Sequence, residues 1–162
     1  MKKVKLYSDG GCRPNPGPGG YGVVLLFGEY RKELSGGYRN TTNNRMELMA
    51  SIKGLETLKE KCTVEIHSDS KYVICPLSDG RAPQWRANGW RLNSREYAKN
   101  PDLWERLLEL CESHEVTYYW VKGHSGDSEN DRCDQLATEA RSQPNLPPDQ
   151  PYERSLLNES RR

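Results

Sequence analysis

Two distant segments of this chain end alike. Residues 4–9 read VKLYSD and residues 64–69 read VEIHSD. Each runs valine, any residue, aliphatic, any residue, serine, aspartate. The strict alternation predicts two β-strands, with both aspartates at the C-terminal end on the face opposite the valine and the aliphatic residue. The material between them is long enough for a helical crossover, which makes the two strands parallel. If they are also neighbours, their backbones lie about 4.8 Å apart, so Asp9 and Asp69 would share one small space. Like charges that close repel, and one carboxylate takes up a proton unless a cation intervenes. A divalent ion such as magnesium resolves the conflict, since it binds through a few carboxylates, water and phosphate oxygens. Ligand sites in open α/β sheets also gather at strand C-termini. The plain alternative is two unrelated aspartates starting turns, which the matched endings weaken.

The rest of the pattern predicts a single α/β domain with a mixed sheet, an antiparallel meander followed by parallel strands. GGCRPNPGPGG reads as a loop, residues 21–28 and 30–38 as strands, and Gly28–Glu29 as the tip of a hairpin between them. Asn43 or Asn44 can cap a helix over 44–60, where Leu48, Ile52, Leu55 and Leu58 recur at helical spacing. Residues 71–78 read as helical, with Pro76 as a break or first-turn residue. Residues 81–99 read as a short helix and a loop, 101–112 as a helix, 116–121 as a strand and 130–141 as a closing helix. From Gln143 the texture changes. Four prolines, at 144, 147, 148 and 151, argue against a regular element. The expected division is a catalytic domain over 1–142 and a Pro-rich appendix over 143–162. Leu146, Tyr152, Leu156 and Leu157 are available to pin that appendix to the body.

Composition excludes several classes. No apolar run approaches the ~20 residues that span a membrane, and no apolar stretch follows the N-terminal lysines as a signal peptide requires. The expected compartment is the cytoplasm. Five cysteines are present, an odd number without a CxxC pair, which points to free thiols rather than a disulfide framework or a zinc site. Only a long-range pairing such as Cys12 with Cys62 stays open. The net charge is +1, so a polyanionic partner would need a local basic patch.

Two further acids can join the pair. Glu47 lies near the start of its helix beside Leu48, where it either faces the sheet or simply complements the helix dipole. Asp134 reads, by itself, as a surface acid. The four blocks YSDGGCRPNPGPGGYG, TTNNRMELMA, HSDSKYV and WVKGHSGDSENDRCDQLA settle the choice. In this order and spacing the chain resembles a type 1 ribonuclease H of the bacterial kind. The resemblance implies a five-stranded mixed sheet flanked by helices. It implies hydrolysis of the RNA strand of RNA–DNA hybrids, leaving 5′-phosphate and 3′-hydroxyl ends. It also implies two Mg²⁺ ions during catalysis, with Mn²⁺ able to substitute. Asp9 takes the bridging position, Glu47 and Asp69 the flanking ones and Asp134 the closing one, with His124 as a mobile histidine. Histidine as a residue type changes protonation near neutral pH and can shuttle a proton or help product leave.

RNA is told from DNA by its 2′-hydroxyl. By resemblance, Gly10, Gly11, Cys12 and Asn15, with Asn43 and Asn44, meet the hybrid in its minor groove; each can equally serve as a turn or cap residue. Residues 81–99 supply the basic patch. Arg81, Arg86, Arg91, Arg95 and Lys99 are interleaved with Trp85 and Trp90, although the tryptophans suit core packing as well. By resemblance Trp85, Arg86, Trp90 and Arg91 contact substrate as part of a basic protrusion. Only one charge stands between the two tryptophans, fewer than in related proteins, so hybrid binding should be weaker or more salt-sensitive. The rival readings are another nuclease of the same fold and a non-catalytic hybrid-binding module. No obligate protein partner or membrane is implied, and the expected form is a stand-alone monomeric enzyme.

Overall fold

The structure, a computed structural model, describes residues 1–161. The strands are β1 (Lys2–Cys12), β2 (Gly17–Phe27), β3 (Tyr30–Thr41), β4 (Cys62–Ser68) and β5 (Glu115–Trp120). They form one sheet in the order β3-β2-β1-β4-β5. The β3-β2-β1 half is antiparallel, and β4 and β5 add in parallel through helical crossovers. The helices are α1 (Asn43–Glu56), α2 (Lys71–Ser78), α3 (Arg81–Ala87), α4 (Pro101–Glu112), α5 (Ser128–Arg141) and α6 (Gln150–Ser160).

The twin strands pair in register: Val4 with Val64, Leu6 with Ile66, Ser8 with Ser68. The parallel ladder stops there, which leaves Asp9 and Asp69 as the next residue on each side. β1 itself does not end at Asp9. It runs on to Cys12 by pairing with β2, where Asp9 lies opposite Gly22. Gly10, Gly11 and Cys12 are therefore strand residues, not loop residues as their glycine content suggests.

Alternation sorts the two faces. Val4, Leu6 and Ser8, with Val64, Ile66 and Ser68, are buried toward the main core, which also holds Leu48, Ile52, Leu55, Leu107 and the fully enclosed Trp104. A smaller core on the opposite face joins Val24 to Cys133 and Leu136. There α5 lies directly on β2. A Cβ at Gly20 would come 2.3 Å from the carbonyl oxygen of Ala137, and one at Gly22 would come 2.3 Å from that of Cys133. The glycines let the helix backbone touch the sheet backbone.

Several boundaries differ from the sequence expectation. The cap of α1 is Thr42, whose side chain accepts from Arg45 N at 3.2 Å, rather than Asn43 or Asn44. The helix stops at Glu56, where the Thr57 hydroxyl donates to the Lys53 carbonyl and closes the last turn. Pro76 neither breaks nor begins α2; it is buried inside it. The proline-rich appendix is helical over Gln150–Ser160, because three of its four prolines precede the helix and Pro151 sits in the first turn, where no donor is missed. Leu156 and Leu157 are exposed, whereas Leu146 is half-buried with its Cδ2 3.2 Å from the Cβ position of Gly37 in β3. The appendix is further held by Arg39 N donating to the Pro147 carbonyl, by an Arg39–Glu153 ion pair, and by a buried Asp149. All five cysteines are free thiols. Among the described residues no helix is long and apolar enough to cross a membrane.

Candidate active site

The site is assembled where β1 and β4 part. Asp9 is 8% exposed and points to the α5 face of the sheet. Glu47 comes from α1, which crosses β1 so closely that a Cβ at Gly10 would lie 2.3 Å from the Met46 carbonyl carbon and 2.5 Å from Glu47 N. Only glycine permits this approach. The freed Gly10 amide donates to both acids, to Glu47 Oε1 at 2.5 Å and to Asp9 Oδ1 at 3.0 Å. The first turn of α1 contains no acid. Glu47 therefore lies beyond the turn where a helix dipole would use it, and faces the sheet.

Asp69 follows the last residue of β4 and is held from outside the strand. Its carbonyl accepts from Trp120 Nε1 at 2.8 Å, and Val121 N donates to the Ser68 carbonyl at 2.9 Å. A Cβ at Gly123 would come 2.8 Å from Asp69 Oδ2, so that glycine lets the following loop close over the carboxylate. Asp9, Glu47 and Asp69 each offer an oxygen, and these oxygens lie within 4.8 Å of one another. Asp134 sits just outside this trio. It is delivered by the glycine stripe: Cys133 rests on Gly22, Gly22 pairs with Asp9, and the residue after Cys133 is Asp134.

Crowding shows in the electrostatics. Burial, then the charge of Asp69, then that of Asp134 push the Asp9 carboxyl up to about 8, against a lowering by hydrogen bonding with Glu47. Burial and the charges of Asp9 and Asp69 hold Glu47 well above the usual carboxylate range. Asp69 is raised by burial and by Asp134, and is pulled back by hydrogen bonding with Asp9, by His124 and by Asn130. Groups that cannot all ionise in the bare protein form an all-oxygen donor set. With no thiolate or imidazole in the trio, it fits a hard divalent cation rather than a softer one.

Other residues named from sequence fall in different places. His124 is exposed, has φ 55°, and follows Gly123, the residue whose missing Cβ lets this loop close over Asp69. Asn15 and Asn43 are brought together: Asn15 Nδ2 donates to Asn43 Oδ1 at 2.8 Å, and Asn43 N donates to Asn15 Oδ1 at 3.2 Å. Asn44 N donates to Asn43 Oδ1. A Cβ at Gly11 would meet nothing within 4 Å, so that backbone is open. The Cys12 thiol is turned to the carbonyls of Pro14, Gly17 and Thr41.

Trp85, Arg86, Trp90 and Arg91 do not join the acids; they lie on α3 and the loop after it. Both tryptophans pack against the main core, Trp85 edge-on to Trp104 with centroids 5.7 Å apart. Arg86 is paired with both oxygens of Glu112, at 2.7 and 2.8 Å, and Arg91 lies over the Tyr97 ring at 4.6 Å. Sequence reasoning missed Asn130. It is 3% exposed, and its Oδ1 has no hydrogen-bond partner among the described residues. Its spacing one turn before Asp134 was the available signal, since residues four apart share a helix face.

The RNase H family model matches residues 1–142. The chain is 62% identical over 149 residues to the Ribonuclease H of Desulforamulus reducens, covering 92% of this chain and 94% of that one. It is 55% identical over 145 residues to the Ribonuclease HI of Synechocystis, covering 88% and 91%. Among solved structures it resembles LC9-RNase H1, a type 1 RNase H with the type 2 active-site motif. That match has a TM-score of 0.77 at 26% identity and covers 87% of this chain and 72% of the other.

Proposed function

The chain belongs to the ribonuclease H family, in its bacterial type 1 branch, and from that premise we propose that Asp9, Glu47, Asp69 and Asp134 are the carboxylates with which it works. The enzyme hydrolyses the RNA strand of RNA–DNA hybrids. The observation that carries the site assignment is the trio of oxygens within 4.8 Å, with Asp9 buried and Glu47 and Asp69 half-buried. Asp9, Glu47 and Asp69, with Asp134 completing the set, would hold the ions, and these would be Mg²⁺, with Mn²⁺ as a substitute. When bound, two such ions supply the positive charge that activates a water and steadies the leaving oxygen, giving 5′-phosphate and 3′-hydroxyl ends.

The chain's own residues supply the rest. Gly10 N orients Asp9 and Glu47 together. Trp120 and Gly123 fix Asp69, and the glycine stripe of β2 sets the height of Asp134. His124, exposed on its loop, is placed to take or give a proton beside Asp69 or to help product leave. Gly10, packed under α1, and the open backbone of Gly11, with Cys12 and the exposed Asn15–Asn43 pair beside Asn44, form the edge that meets the hybrid's minor groove, where donors and acceptors read the 2′-hydroxyl. Trp85, Arg86, Trp90 and Arg91 belong to an outlying patch for the DNA backbone. Residues 1–142 form the catalytic domain and 143–162 an appendix.

The test is cleavage of labelled RNA–DNA hybrid, duplex DNA and duplex RNA, with and without Mg²⁺. Only the hybrid with Mg²⁺ should be cut. Asp9→Asn should bind hybrid yet lose cleavage; robust cutting by that variant overturns the assignment.

A further inference from the structure

A cation stands where a helix least favours one. Arg45 is the third residue of α1, and a positive charge in a first turn opposes the helix dipole. It is also buried, 3% exposed. Two acids from elsewhere compensate. Arg45 Nε and Nη2 donate to Asp149 Oδ2 and Oδ1 at 2.7 and 3.1 Å, and Nη1 and Nη2 donate to Asp102 Oδ1 and Oδ2 at 3.0 and 2.8 Å. Asn100 Oδ1 accepts from Nη1 at 3.3 Å. Thr41, the last residue of β3 and fully buried, donates to Asp149 Oδ2 at 2.7 Å.

Asp149 and Asp102 come from the starts of two other helices. Asp149 is the cap residue of α6, yet its side chain caps nothing in its own helix. Asp102 lies in the first turn of α4. The starts of α1, α4 and α6 thus converge on one guanidinium, two residues before Glu47. Arginine's fixed fork holds both carboxylates in defined directions, and a buried pair of this kind loses most when one partner is removed.

We infer that Arg45 and Asp149 are positioning residues for the active site: the buried network clamps the start of α1 against Gly10, and so sets Glu47 and the Asn43–Asn44 edge. This rests on the function proposed above. It also gives the C-terminal appendix a task in the reaction, because Asp149 is the one buried acid that residues 143–161 contribute.

The experiment compares Asp149→Asn and Arg45→Lys with a surface control, Glu153→Ala, which breaks only the outer tie to Arg39. Melting, Mn²⁺ binding by calorimetry, and KM and kcat on labelled hybrid are measured at a temperature where circular dichroism shows every variant folded. The two network variants should bind Mn²⁺ about tenfold more weakly, the scale seen when a ligand's supporting partner is lost. Their KM should rise, and wild-type-like cleavage should return only in part at saturating metal. The control should melt earlier but keep its Mn²⁺ affinity and KM. If Asp149→Asn melts earlier while Mn²⁺ affinity and KM stay at the wild-type values, the network is structural only and the inference falls. Should Asp149→Asn not fold, Asp102→Asn at the more exposed end of the network replaces it, with the same shifts expected and the same outcome overturning. Failure of the wild type to cut hybrid would defeat the functional reading, whereas the Mn²⁺ arm would still judge the clamp.

Discussion

Gly22 shows how much of the site depends on an atom that is not there. Its cross-strand partner is Asp9, and the Cys133 carbonyl occupies the space of a Cβ. Gly22→Ala must lift α5, and with it Asp134. Overpacking of this kind costs about 1–3 kcal/mol, so urea unfolding should shift by that amount, with cleavage falling further than the small residual unfolding explains. Asp9 makes a second prediction. Its carboxyl stands near 8 in the folded protein, against 3.8 in an unconstrained chain. Between these values the folded state holds more protons than the unfolded one, so metal-free stability falls as pH rises through the window. His114, whose pKa burial lowers, acts in the opposite sense around 6.5. Glu33, held down to about 2 by Arg132 and Arg31, acts only in acid. In EDTA, Asp9→Asn should therefore melt higher than wild type by a margin that is larger at pH 8.5 than at pH 5. An equal margin at both pH values would contradict the assignment.

At the scale of elements, the protrusion formed by α3 and its following loop differs most from its promise. Five cations suggested a phosphate-binding patch. Two of them are spent on neighbours, Arg81 on Asp79 and Arg86 on Glu112, and both tryptophans pack against the main core, Trp85 through Trp104 of α4. Fewer available cations mean fewer counterions released on binding, so the grip should be weaker and the dependence of log KM on log salt shallow, which reverses the greater salt sensitivity expected from the sequence. Glu112→Gln should free Arg86 and steepen that slope by up to about one contact's worth; an unchanged slope would show that Arg86 lies away from the hybrid. The helix bounds teach a related lesson. Hydrophobic spacing revealed α1, α4 and α5, but the true cap of α1 is Thr42, because the neighbouring asparagines are engaged with Asn15 and one another.

For the whole molecule, the appendix is the test of integration. Removing 143–162 takes away Asp149, the Pro147 carbonyl that receives Arg39 N, and the Glu153 ion pair. Arg45 would keep Asp102 but lose its buried partner, so the cost approaches but does not reach the roughly 3–5 kcal/mol of a buried charge left with no partner. The truncated chain should melt markedly lower in thermal denaturation followed by circular dichroism. An unchanged melting temperature would show that the appendix braces nothing. What the amino-acid sequence determined alone was the two matching strands and the placing of Asp9 and Asp69 at their C-terminal ends, because strand alternation is local; that the strands are neighbours came from the sheet order. Glu47 was half legible, since its helix was visible but not the face it turns. Asp134 entered through the resemblance of its block, and Asn130, Trp120 and the Arg45–Asp149 clamp became visible only in three dimensions. Their roles depend on backbones meeting at glycine and on charges from chain-distant helix starts sharing one buried space, and no local periodicity records which distant surfaces will touch.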